Sequence, residues 1–105
     1  MKVRYLAAMT LALTVSAGAL AEDGQALYKK SGCSACHALN KKNVGPAFTE
    51  VAAKYAGDST AQARLEKKVR SGGAGSFGSM PMPPAPAAVS DDSIKTLVAW
   101  ILTQK

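Results

Sequence analysis

Cys33-Ser34-Ala35-Cys36-His37 decides the reading of this chain. The sequence holds two cysteines and one histidine, and all three fall within these five residues. C-x-x-C-H is the attachment motif of c-type haem. Two thiols three positions apart on a tight turn add across the two vinyl groups of one porphyrin, and the adjacent imidazole reaches the iron. Other chemistries fit less well. Structural zinc wants four ligands, usually cysteine or histidine, and only three are on offer. A thioredoxin-like dithiol needs a βαβ setting, and no strand-like run appears. A disulfide from Cys33 to Cys36 would close so short a loop that it gains little chain entropy.

On the amino-terminal side of the motif, residues 1–21 read as a secretory signal peptide. Lys2 and Arg4 form a basic start, Leu6 to Leu20 is apolar or small with no charge, and Ala19-Leu20-Ala21 is an A-x-A cleavage signal followed by Glu22-Asp23. The apolar stretch is 15 residues, short of the roughly 20 that a spanning helix needs, so an uncleaved anchor and stable membrane insertion are disfavoured. No cysteine stands at the cleavage point for a lipid anchor. Cleavage after Ala21 leaves 84 of the 105 residues and lowers the formal charge from +6 to +4. Residues 22–105 are then one domain, too small for a Rossmann fold or a barrel. A core of that size is marginal, and such domains usually add a disulfide, a metal or a cofactor.

A haem with one histidine needs either an open site or a second axial ligand. Past the signal peptide only Met80 and Met82 remain as candidates, both within Ser79-Met80-Pro81-Met82-Pro83-Pro84. A thioether is soft and neutral and raises the reduction potential. The prolines fix φ and remove backbone donors, so the loop is held extended. Residues 71–89 carry four of the nine glycines and four of the five prolines. Alone the stretch resembles a linker, but a linker here would leave two fragments too small to fold. The segment is expected to wrap something, and Met80 and Met82 point to the haem.

The rest of the chain reads as short helices. Asp23 caps a helix running to Lys30, with Gly32 as a stop. Val44-Gly45-Pro46 is a turn. Phe48, Val51, Ala52 and Tyr55 form a helical stripe, ended by Gly57. Ser59-Thr60-Ala61-Gln62 fits a capping box for a helix bearing Leu65 and Val69, stopped at Ser71-Gly72-Gly73. Ser90 caps the last helix, Asp91 and Asp92 oppose its dipole, and Ile94, Leu97, Val98, Ile101 and Leu102 form its apolar face. Trp100 reads as packing. The expected fold class is all-α.

The motif Cys33-x-x-Cys36-His37, together with Val44-Gly45-Pro46-Ala47, Met80-Pro81-Met82-Pro83-Pro84 and Val89-Ser90-Asp91-Asp92, closely resembles the small bacterial class I cytochrome c of the c-551 type, from Glu22 to Lys105. The resemblance implies the class I cytochrome c fold, short helices wrapped around one covalent haem c per chain. It implies Cys33 and Cys36 as the thioether attachments, His37 as proximal axial ligand and Met82, rather than Met80, as distal ligand. Pro46 matches a proline whose carbonyl accepts the histidine ring N–H. The first and last helices would cross, with Tyr28 near Trp100. Two positions depart from the pattern. Phe77 stands where relatives often have a tryptophan able to hydrogen-bond a haem propionate, and Ala85 where they often have asparagine, followed by the extra small residues Pro86, Ala87 and Ala88. Both remove polar support, so an altered reduction potential and a less rigid methionine loop are expected.

The implied function is that of a soluble, monomeric periplasmic single-electron carrier donating to a nitrite reductase or terminal oxidase, and not an enzyme. The alternative is a five-coordinate haem c protein with peroxidase or gas-binding activity, which the lack of a second histidine disfavours. Leu39, Phe48, Val51, Leu65, Val69, Phe77, Leu97, Val98 and Ile101 are candidates for an apolar pocket. The lysines at 29, 30, 41, 42, 54, 67 and 68 give a basic surface, expected to steer acidic redox proteins of a respiratory chain into transient encounters. Nucleic-acid binding is a poor reading, since the basic residues are not interleaved with aromatics.

Overall fold

The computed structural model describes residues 23–105, so the signal-peptide reading lies outside the described residues. Four helices follow one another: α1 Gly24–Lys30, α2 Phe48–Lys54, α3 Ala61–Ser71 and α4 Asp91–Leu102, with a 3-10 turn at Cys33–Ala35 between α1 and α2. Among the described residues there is no strand. A single antiparallel bridge joins Gly73 to Met82.

The caps explain most of the boundaries. Asp23 accepts a 2.7 Å hydrogen bond from the Ala26 amide at the start of α1, and Ser90 accepts one from Ser93 N at 3.1 Å at the start of α4. Each satisfies an amide that the first helical turn leaves without a partner. The capping box expected at Ser59–Gln62 does not form. Thr60 is the N-cap residue of α3 and makes no side-chain cap bond. Asp58, one residue before the expected box, takes over: Oδ1 accepts from the Thr60 amide at 2.8 Å and the Thr60 hydroxyl at 2.7 Å. Gln62 instead reaches across to Lys95 O at 3.1 Å, tying α3 to α4.

α4 is the central element and packs against α1, α2 and α3. Its stripe supplies the most deeply buried side chains, Ile94, Leu97 and Val98, each worth about 1.5–3 kcal/mol when removed from water. The crossing of α1 on α4 is close. A β-carbon on Gly24 would lie 2.0 Å from Cβ of Trp100, so this contact requires glycine. Tyr28 and Trp100 meet as expected, with ring centroids 5.6 Å apart, and Phe48 completes an aromatic cluster at 5.4 Å from Tyr28 and 5.9 Å from Trp100.

Candidate functional site

The attachment motif sits on the 3-10 turn. With three residues per turn, side chains at i and i+3 stand over one another, which puts Cys33 and Cys36 on one side. Bonds from Cys36 N and His37 N to Cys33 O, at 3.1 and 2.9 Å, close the turn. Both cysteines are free and half-buried. Burial pushes the Cys33 thiol above its usual pKa, against a smaller lowering by a backbone hydrogen bond.

His37 is held from three sides. Its Nδ1 lies 2.9 Å from Pro46 O. A carbonyl only accepts, so the proton is on Nδ1 and the Nε2 lone pair is left for a metal. The ring stacks on Phe48 at 4.9 Å with 26° between planes. A β-carbon on Gly45 would lie 2.5 Å from His37 Cε1 and 2.8 Å from Nδ1, so the turn can close on the imidazole only with glycine there. The Tyr28 hydroxyl donates to the His37 carbonyl, and Gly45 N donates to Cys36 O at 2.8 Å. The aromatic cluster shared by α1, α2 and α4 therefore backs the imidazole. Engagement of Nδ1 is what orients a metal-binding histidine and raises its basicity.

Facing this turn is a predominantly apolar cleft of about 1040 Å³ including its open mouth. Its lining includes Cys33, Cys36, His37 and Pro46 together with Met80 and Met82. Phe48, Val51, Leu65, Val69, Phe77, Leu97, Val98 and Ile101 line it as expected, whereas Leu39 does not and packs on the core beside it. Tyr55 belongs to the wall as well. Its place on the α2 stripe was visible in the sequence, but its orientation toward the cleft was not.

The two methionines differ. Met80 is 68% exposed, while Met82 is half-buried. Met82 exchanges a pair of 2.9 Å backbone bonds with Gly73. Gly72 has φ +68°, and a β-carbon there would meet Met82 O at 2.4 Å. The glycines at the end of α3 thus let the methionine segment lie against it. Phe77 lies in the cleft wall, edge-on to Tyr55 at 6.4 Å. The Lys54 ammonium donates to Ser76 O and sits 4.3 Å from the Phe77 ring centroid, so this lysine straps the 73–78 loop rather than projecting freely as a steering charge. Ala85 donates its amide to Val69 O at 2.9 Å.

These features fit a flat, mostly apolar macrocycle held through two sulfurs and an imidazole. The sequence alone did not disclose the Tyr28–His37 bond, the Gly45 contact or the Gly73–Met82 bridge, because each joins segments that are apart in the chain.

Comparison with known proteins agrees. The cytochrome c family model matches residues 21–105. The chain is 51% identical over 88 residues to cytochrome c-551 of Pseudomonas aeruginosa, covering 84% of this chain and 83% of that protein. It is 50% identical over 84 residues to cytochrome c-551 of Azotobacter vinelandii, covering 80% of this chain and 100% of that one. The crystal structure of wild-type cytochrome c552 of Nitrosomonas europaea superposes with a TM-score of 0.73 at 46% identity, covering 77% of this chain and 99% of the other. With the all-α fold and the C-x-x-C-H turn lining an apolar cleft, these matches establish that the chain belongs to the cytochrome c family, as a small class I electron-transfer protein of the c-551 type that carries one covalently bound haem c.

Proposed function

We propose that this protein is a periplasmic single-electron carrier, exported by a signal peptide cleaved after Ala21 and folded as one domain over residues 22–105. In this reading Cys33 and Cys36 carry the haem thioethers, His37 and Met82 are its axial ligands, and the electron acceptor is a nitrite reductase or terminal oxidase. The bound haem supplies an iron that changes by one electron between ferric and ferrous. The protein's part is to keep its surroundings constant. Pro46 holds His37 in one tautomer, Phe48 and Gly45 fix the ring plane, and the walls from α2, α3 and α4 present a mostly apolar surface. Little then rearranges when the charge changes.

The observation that carries the reading is the shared cleft. His37 and Met82 both line it, and Met82 is the half-buried methionine whose backbone is paired to Gly73, while Met80 is 68% exposed. The export signal Lys2/Arg4, Leu6–Leu20 and Ala19-Leu20-Ala21 supports the compartment. The test is spectroscopic. Met82→Ala is expected to abolish the weak near-infrared thioether–ferric-iron absorption, and Met80→Ala to retain it. The reverse pattern would move the ligand to Met80. Rapid carbon monoxide binding to the reduced wild-type protein would favour an open sixth site and overturn the His/Met reading.

A further inference from the structure

Arg70, in the last turn of α3, has every nitrogen of its guanidinium engaged. Nε and Nη2 donate to Asp91 Oδ1 at 3.2 and 2.8 Å, Nη1 to Pro86 O at 3.3 Å, and Nη2 also to Val89 O. Its acceptors bracket the far end of the methionine loop. Pro86 and Val89 close a turn through Val89 N to Pro86 O at 2.9 Å, and Asp91 opens α4. The neighbouring Val69 carbonyl accepts the Ala85 amide. Two residues further on, Gly72 and Gly73 receive Met82. The final turn of α3 therefore grips the loop at Met82, at Ala85 and at Pro86–Asp91.

We infer that Arg70 is the positioning residue of the methionine loop, acting through Pro86 and Val89, beside the Val69–Ala85 bond, to keep Met82 seated in the cleft. This rests on Met82 as distal ligand. The carbonyl contacts carry the effect. Asp91 is 93% exposed, and an exposed ion pair contributes little, whereas charge-assisted bonds to backbone carbonyls are stronger. A planar guanidinium reaches three separate acceptors from one rigid fork. An ammonium is a point charge and cannot reproduce that geometry. The Gly/Pro-rich loop has little packing of its own, since Pro83, Pro84, Pro86, Ala87 and Ala88 are all exposed, so its far end depends on this clamp.

The experiment uses the ferric holoprotein, with imidazole as the probe of Met82 release and amide hydrogen exchange at Ala85 as the probe of the loop. Arg70→Gln is expected to accelerate both roughly tenfold, a change equivalent to about 1.4 kcal/mol. Arg70→Lys should fall between Arg70→Gln and the wild type, and carries the test if Arg70→Gln fails to fold. Asp91→Asn should stay within about twofold of the wild type, because the carbonyl contacts persist. Asp58→Asn, at the opposite end of α3, controls for general loss of stability. Rates in the Arg70 variants within twofold of wild type, or an equal acceleration in Asp58→Asn, would overturn the inference. Retention of the near-infrared band in Met82→Ala would instead defeat the ligand assignment, while Ala85 exchange would still judge the clamp.

Discussion

The Asp58 carboxylate shows how a single side chain sets a helix start. Bonds from the Thr60 hydroxyl and amide hold its pKa below the usual carboxylate range, outweighing an opposing desolvation, and Arg64 at 3.1 Å adds a lesser favourable charge. A carboxyl whose pKa is depressed by folding stabilises the protein above its unfolded value and loses that contribution as the pH falls through the folded value. Asp58→Asn is therefore expected to be less stable than the wild type at neutral pH, with the gap closing below about pH 4. Denaturant titrations at pH 7 and pH 3 measure it, and equal gaps at both would contradict the assignment. At the same scale, the C-x-x-C-H turn is legible in the sequence: Cys33, Cys36 and His37 fall within five residues, so a single local turn brings them together. Asp58 as a cap was not, because Ser59 and Gln62 offered a motif that local geometry did not use.

Among the elements, α4 was read closely from its pattern. Ser90, Asp91-Asp92 and the stripe from Ile94 to Leu102 define its start, polarity and buried face, and the helix spans Asp91–Leu102. Its contact with α1 was foreseen as a crossing, but not its closeness. Gly24→Ala would place a methyl inside the Trp100 side chain, and overpacking of this kind costs about 1–3 kcal/mol. The expected outcome is a lower denaturation midpoint with an unchanged haem spectrum, since Trp100 lines no part of the cleft. A variant as stable as the wild type would show that α1 shifts freely on α4. Composition alone makes residues 71–89 resemble a linker; the size of the flanking fragments and the pair Met80/Met82 make it a wrap. The bridge from Gly73 to Met82 and the Arg70 contacts that hold it depend on α3 ending where the loop returns, which no periodicity encodes.

For the whole molecule, the small core and the cleft have one cause. The inner faces of α2, α3 and α4 are divided between contacts with one another and the cleft wall, where Leu97 and Ile101 serve both. A domain of this size has too little interior of its own, and the covalent macrocycle completes it. The surface charge acts at the same scale. Lys41 and Lys42 are exposed near Val44, which is itself 54% exposed at the cleft mouth, and Lys68 lies on the cleft wall. Association with an acidic redox partner is expected to slow as ionic strength rises toward 0.15 M, where the screening length is about 8 Å. Stopped-flow rates that stay flat with salt would rule out steering by these lysines. The contribution of Lys54 should be small, because its ammonium is already bound to Ser76 and Phe77.

The sequence by itself determined what neighbouring residues can determine. It set the thiol–thiol–imidazole turn, the helix stripes and most of their caps, and it brought two methionines within one proline-braced segment. Only the tertiary structure decided which atoms meet across the chain. Tyr28 reaches the His37 carbonyl, Gly45 admits the imidazole, and Met82 rather than Met80 is paired against the end of α3. The physical reason is range. Caps, turns and amphipathic faces are fixed by interactions within about four residues, whereas the placement of the methionine loop depends on backbone contacts between segments that meet only after the helices have packed.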